Sequence, residues 1–325
     1  MVLVVVLAAL SLGLVSVPCS YGKDYPTKPI EIMVTYGPGT INDTVSRLCA
    51  EIGRKYLSQP LVVVNKPGAA ATTGVAEVIN SRPDGYKLIY LPHNYFATTV
   101  RTQKIPFDPT HLTPLIGLAE LRQTLGVRGD SPWKTIHQLL DYGKQNRGTL
   151  RVANPGVGAG GHICNLIVFR KAGVEIIDLP YVRGATDILP ALLGGHVDAA
   201  LVEYSAGKSH IDTGRIRLLV TYSEQRHTVT PDVPCTAELG FETIVTYHAL
   251  YVHKNVPENI KKTLLEAFQK IRQDPEFMKG LDRIGVAPKF EGPEFIKQAI
   301  KKTEGIGVPI IKELGLYVGE PPKAP

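Results

Sequence analysis

Cysteine is scarce in this chain, with four residues in 325, and tryptophan occurs once. No CxxC pair is present, and the nine histidines show no HxxxH or Cys/His ligand spacing. These gaps argue against a disulfide-stapled scaffold and against a zinc site. Aromatic residues are only 7% of the chain and the Lys and Arg residues are scattered. The aromatic-interleaved basic stripe of a nucleic-acid binder is therefore missing. Tandem repeats and low-complexity stretches are lacking too, which argues against a solenoid.

What is present is an ordinary globular composition, 44% hydrophobic and 20% charged, with 36 Lys+Arg against 30 Asp+Glu for a net charge of +6. The length suggests two domains. One long apolar run exists, residues 2–17, interrupted only by Ser11, Gly13 and Ser16; Pro18-Cys19-Ser20 follows, and Lys23 is the first charge. A membrane span needs about 20 apolar residues. This shorter run, ending in small residues, reads as a secretory signal peptide over residues 1–20, with an uncleaved anchor as the alternative. Cys19 follows Pro18, whereas a lipidated cysteine follows a small residue, so no lipid anchor is expected. Cys49 falls in a helical pattern and reads as a small buried hydrophobe. In an exported chain a Cys164–Cys235 bridge is conceivable.

Strand-like and helix-like runs alternate. Strands are expected at 30–34, 61–64 and 87–91, helices at 42–57 and 74–81, and a turn at Pro83-Asp84-Gly85. This βαβαβ order predicts a parallel sheet with helices on both faces. A second series has strands at 123–127, 150–153, 176–181, 197–202 and 216–221, and helices at 135–145, 162–171 and 187–193. Residues 207–214 read as a polar turn region. An extended run at 243–253 precedes helices at 259–273, 275–283, 293–302 and 306–314. The Pro-rich tail, 319–325, is expected to be disordered.

Two segments repeat one design: a strand runs into a glycine loop and then a helix. In the first, Gly39 permits a tight turn, Thr40 is an N-cap, and Asp43 answers the cap. The amides of Thr40, Ile41 and Asn42 then either begin a well-capped helix and nothing more, or receive an anion. In the second, Gly156, Gly158 and Gly161 satisfy G-x-G-x-x-G, with Asp178 downstream. A dinucleotide site would place that acid at a strand's end, whereas Asp178 sits mid-strand. His162 opens the helix and either caps it or donates to an anion. Residues around Gly207-Lys208-Ser209 fail as a P-loop and as a nucleophile elbow.

The blocks Tyr25-Pro26-Thr27-Lys28-Pro29-Ile30, Gly37-Pro38-Gly39-Thr40-Ile41-Asn42-Asp43 with Arg47, Val64-Asn65-Lys66-Pro67-Gly68-Ala69 and Pro83-Asp84-Gly85-Tyr86 come in a telling order. Pro155-Gly156-Val157-Gly158 with His162, Tyr181-Val182-Arg183-Gly184, Leu193-Gly194-Gly195-His196-Val197-Asp198 and Pro231-Asp232-Val233-Pro234 continue it. Together they resemble the solute receptors of tripartite tricarboxylate transporters, the Bug family, over residues 25–316.

That resemblance implies an α/β periplasmic binding protein fold of type II: two lobes, a central cleft and two crossover segments. Crossovers near Leu125 and Thr243 would make residues 21–124 and 243–325 lobe I and residues 125–242 lobe II. It further implies a periplasmic receptor, not an enzyme, that closes by a hinge on a small organic carboxylate and delivers it to membrane permease subunits. No cofactor, metal or nucleic acid is implied. The carried-over ligand-binding set is Tyr36, Gly39, Thr40, Ile41, Asn42, Asp43, Thr72, Thr73, Asn94, Asn154, Gly158, Ala159, Gly160, His162, Arg183 and Gly184. Three departures bear on the solute: Thr40 and Ala71-Thr72 stand where the family has glycines, and Arg183 stands where it has lysine. Alternative readings are a nucleotide-binding enzyme using the 156–161 loop, and a receptor that presents its ligand to a signalling protein.

Overall fold

The computed structural model describes residues 25–181, 183–289 and 291–323. The signal-peptide and lipid-anchor readings, both on residues 1–20, lie outside them. The chain builds β1 (Ile30–Val34), β2 (Leu61–Asn65), β3 (Lys87–Pro92) and β4 (Leu112–Glu120) into one sheet. It then forms a second sheet from β5 (Gln123–Arg128), β6 (Leu150–Asn154), β7 (Ile176–Pro180), β8 (Ala199–Glu203) and β9 (Ile216–Thr221). Finally it returns to the first with β10 (Tyr247–His253) and β11 (Ala287–Pro288). The strand orders are β11-β4-β10-β3-β1-β2 and β7-β6-β8-β5-β9.

The parallel sheets expected from the βαβ order are in fact mixed. β1 is parallel to β2 and β3, but β10 is antiparallel to β3 and β4, and β5 to β8 and β9. A strand that crosses from the other sheet has no helical return to bring it back to the starting edge, so it enters from the opposite end. β4 is absent from the sequence reading because Pro114 and Gly117 interrupt its apolar run. The structure accommodates them beside β10 with register shifts between Leu250 and Tyr251 and between His248 and Ala249.

The helices are α1 (Ile41–Gly53), α2 (Thr72–Ile79), α3 (Asn94–Ala97), α4 (Ile136–Gln145), α5 (Gly160–Lys171), α6 (Ala185–Leu193), α7 (Tyr204–Asp212), α8 (Glu258–Gln273), α9 (Pro275–Arg283) and α10 (Pro293–Glu313). They cover both faces of each sheet, so each sheet has a core on either side. Strand alternation divides the residues: Ile32, Leu88 and Leu250 enter one core of the first sheet, while Met33, Ile89 and Tyr251 enter the other. Each such buried side chain contributes about 1.5–3 kcal/mol of transfer free energy.

Three local expectations need correction. The polar stretch at 207–214 supplies most of α7, where a Lys208–Asp212 pair spans one turn and Gly207 lets the helix pack on Val202. The two C-terminal helices are one, α10, which runs on through Pro309. Ile296 at one end joins the first sheet's core and Ile311 at the other joins the second's, so α10 straddles both. The tail is held at least through Glu320, which pairs with Arg101 at 2.9 Å and accepts from Tyr317 at 2.6 Å.

Cys49, Cys164 and Cys235 are free and buried, so the conceivable bridge does not form. Cys164 instead donates to the Ile244 carbonyl and Cys235 to Glu238. Among the described residues no helix is long and apolar enough to cross a membrane, and no group of His, Cys, Asp or Glu is placed to hold a metal.

Candidate functional site

A cavity of about 410 Å³ opens between the two sheets, at the carboxyl ends of β1, β3, β6 and β8. Open α/β sheets bind ligands at that edge. Its floor is the crossover region, where Leu121 donates to the Thr246 carbonyl at 2.9 Å and Thr246 Oγ1 lies 3.2 Å from Gln123 Oε1. Both crossings therefore meet beneath the cavity.

The first glycine loop is braced from below. Thr40 Oγ1 accepts from the Asp43 amide at 3.5 Å, and Asp43 Oδ2 accepts from the Gly39 amide at 2.9 Å. This reciprocal cap leaves the first-turn amides of Ile41 and Asn42, which have no intrahelical acceptor, toward the cavity. Asp43 is 3% exposed, and it also receives Arg47 Nε at 3.0 Å and Asn65 Nδ2 at 2.9 Å. Burial opposes its ionisation, but hydrogen bonds from Arg47, the Gly39 amide and Asn65 hold its carboxyl below the ordinary value. Asn65 donates to the Tyr36 carbonyl as well, so the Asn-Lys-Pro-Gly block fixes the first loop in place.

The second loop is braced from both sides. Asn154 Oδ1 accepts from the Gly156 amide at 2.8 Å and Asn154 Nδ2 donates to Asp178 at 2.7 Å. His162 Nδ1 accepts from the Gly158 amide at 3.0 Å, which places the ring proton on Nε2, 2.9 Å from Asp178 Oδ2. Both ring nitrogens are thus committed inside the protein. From the other lobe, Thr98 Oγ1 donates to the Gly158 carbonyl at 2.7 Å. Gly158 has a φ of +76° and a Cβ there would lie 2.5 Å from Thr102 Oγ1, so only glycine fits. Past this knot the amides of Gly160 and Gly161 open α5 on the cavity wall, with no side-chain cap.

Two further helices point their first turns inward without a capping side chain: α6, through Gly184, Ala185 and Thr186, and α7, through Ser205 and Ala206. Four helix N-termini, from both lobes, thus aim partial positive charge at one space. Asn94 adds a polar atom to it: the residue is 3% exposed and its Oδ1 has no hydrogen-bond partner. Gly160 packs against Asn94 and Thr246 so closely that a Cβ would lie 2.5 Å from Thr246 Oγ1.

Of the residues singled out from sequence, Tyr36, Gly39, Thr40, Ile41, Asn42, Asn94, Ala159, Gly160, Arg183 and Gly184 line this cavity. Asp43, Asn154, Gly158 and His162 lie beneath the loops, where they hold backbone instead of facing the space. Thr72 and Thr73 are not on the wall; Thr72 is buried and accepts from Gln103, because three consecutive alanines with positive φ, Ala69 to Ala71, swing α2's start away. Arg183 is on the rim with its guanidinium closed on Asp187 at 2.6 Å. Sequence reasoning missed Gln123, Glu203, Ser205, Thr246, His248 and Arg283, all on the wall. For Glu203 a signal existed: an acid directly ending the apolar strand Ala199–Glu203. Asp178, the acid a dinucleotide would need, is already occupied by Asn154 and His162.

Two mixed α/β sheets, two crossovers and a cleft of converging helix N-termini define a two-lobe solute-binding protein. The family model for the tripartite tricarboxylate transporter family receptor matches residues 45–316, and the chain belongs to that family. A Cupriavidus necator protein, described as the UPF0065 protein in the gbd 5' region, is 31% identical over 316 residues, 95% of this chain and 94% of that one. A TctC solute binding protein from Polaromonas, crystallised without ligand, is 32% identical, with a TM-score of 0.72 over 89% of this chain and 100% of that one. The R. palustris protein Rpa4515, solved with adipate, shares the fold at 24% identity, with a TM-score of 0.82 over 90% of this chain and 99% of that one. The family is one of periplasmic receptors.

Proposed function

We propose that this protein is a periplasmic receptor that captures a small organic carboxylate between its lobes and delivers it to permease subunits of a tripartite transporter, with no reaction catalysed. The observation that carries the reading is the convergence of helix first turns from both lobes, α1 from one and the uncapped α5, α6 and α7 from the other, on one cavity beside the unpartnered Asn94 oxygen. Backbone N–H groups at helix starts suit a carboxylate, and a ligand bridging two lobes favours the closed form. The adipate held by the R. palustris relative is a carboxylate of suitable size.

The test is a thermal-shift and calorimetric screen of the chain from residue 21 onward against mono-, di- and tricarboxylates, NAD and ATP. A ligand at 100 times its Kd should stabilise the protein by about 2.7 kcal/mol. Stabilisation by a carboxylate and not by the nucleotides is the expected result. Stabilisation by a nucleotide while every carboxylate fails sinks the proposal.

A further inference from the structure

Among the described residues Glu203 is the only acid on the cavity wall. It ends β8 immediately before α7, yet its side chain makes no cap hydrogen bond to that helix. Nor do the nearby cations neutralise it: Arg183 is closed on Asp187 and Lys208 on Asp212. Arg283, on the same wall, makes no ion pair with it. A carboxyl group thus faces a space otherwise arranged for anions, with no cation of the protein assigned to it.

Resting on the carboxylate reading above, we propose that Glu203 selects the second end of the ligand. The cavity takes one ionised carboxylate at the helix first turns and, beside Glu203, an end group that donates a hydrogen bond, in preference to a second carboxylate. An amide, hydroxyl or ammonium would satisfy the Glu203 oxygens. A second carboxylate would meet a like charge inside a partly dry cavity, where repulsion is least screened.

The pH dependence follows from the surroundings. Burial pushes the Glu203 carboxyl up to about 7. The groups facing it from other elements are Tyr36 after β1, pushed up to about 12 by its own burial and then by Glu203, and His248 of β10, held neutral to about 3 by burial and then by His93. Arg283 of α9 also lines the wall, and Arg183 before α6 and Arg122 beside the start of α7 are the other cations near it. Between pH 6 and 8 the titrating group on the wall is therefore Glu203. Its protonated form tolerates a second carboxylate by donating to it, so the affinity for a dianion falls as pH rises through 7, by at most about tenfold per pH unit.

The experiment is calorimetry at pH 6 and pH 8 with succinate, glutarate and adipate, each against its own monoamide, on wild type and on Glu203→Gln and Glu203→Ala. For the best-bound pair the monoamide should exceed the dianion by about tenfold at pH 8, with a smaller margin at pH 6. Glu203→Gln should bring the two ligands to within about threefold at both pH values. A ratio left unchanged by Glu203→Gln, in a variant that melts like wild type, overturns the proposal and leaves the receptor reading standing. Wild-type dianion affinity that is flat from pH 6 to 8 overturns it without any variant. If no member of the series binds wild type at all, both readings fall.

Discussion

At the scale of single residues, the chemistry of the cleft is separated from what supports it. Asp43 lies under the first loop and serves the loop's shape. Asp43→Asn keeps the size but loses the charge-assisted bonds to Arg47 and the Gly39 amide, and should lower stability by about 1–3 kcal/mol at neutral pH in urea unfolding. Because folding lowers the Asp43 pKa, its contribution is complete above about 4, the unfolded value, and drains away as pH falls through the folded value. The stability gap between wild type and variant should therefore close in acid. Ala70, at a φ of +46°, is held where a Cβ is unwelcome. Ala70→Gly should raise stability by about 0.5–1 kcal/mol in the same assay, the strain relieved exceeding the glycine's added entropy. On the wall, Gly160→Ala forces Thr246 to give way, and carboxylate affinity should fall by about tenfold or more in calorimetry, with the melting temperature nearly kept.

At the scale of elements, the second glycine loop belongs mechanically to both lobes. Thr98 reaches across to the Gly158 carbonyl, so opening must pivot near this contact or break it. Thr98→Val removes the bond; amide exchange in residues 156–160 should speed up by about tenfold while the sheet amides keep their protection. Both glycine loops were legible in the sequence because their signals are local: an N-cap at Thr40, glycines after a strand, a helix period beyond. The two-sheet α/β organisation was legible for the same reason. That Thr72 and Thr73 lie off the cavity wall is not legible in the sequence, because the left-handed run at Ala69 to Ala71, where alanine carries no such signal, decides where α2 begins. Arg183 lines the cavity as expected of it, but the Asp187 four residues on gives its guanidinium an ion-pair partner that the spacing also shows. Gln123 and Thr246 were out of reach for a different reason. Their meeting depends on which strand ends face each other across the cleft, and no short-range pattern encodes that.

At the scale of the whole molecule, the +6 charge and the anion site are distinct features. Lysines and arginines sit largely in surface pairs such as Arg226–Glu238 and Lys55–Glu276, whereas the donors at the cavity are mainly uncharged amides. Between 50 and 200 mM NaCl the Kd for a carboxylate should change by less than about threefold in calorimetry, since screening acts on the distant charges. Larger losses would move the binding energy to the surface lysines. The uncapped starts of α5, α6 and α7 have a further consequence. A carboxylate among them does for these helices what Asp, Ser or Thr does at an ordinary N-cap, so the solute is a capping residue supplied from outside the chain, and the first turn of α1 across the cavity ties it to the other lobe. Occupancy should then register as helix stability: on ligand saturation the first-turn amides of α1 and α5 should gain exchange protection together, although their helices belong to different sheets.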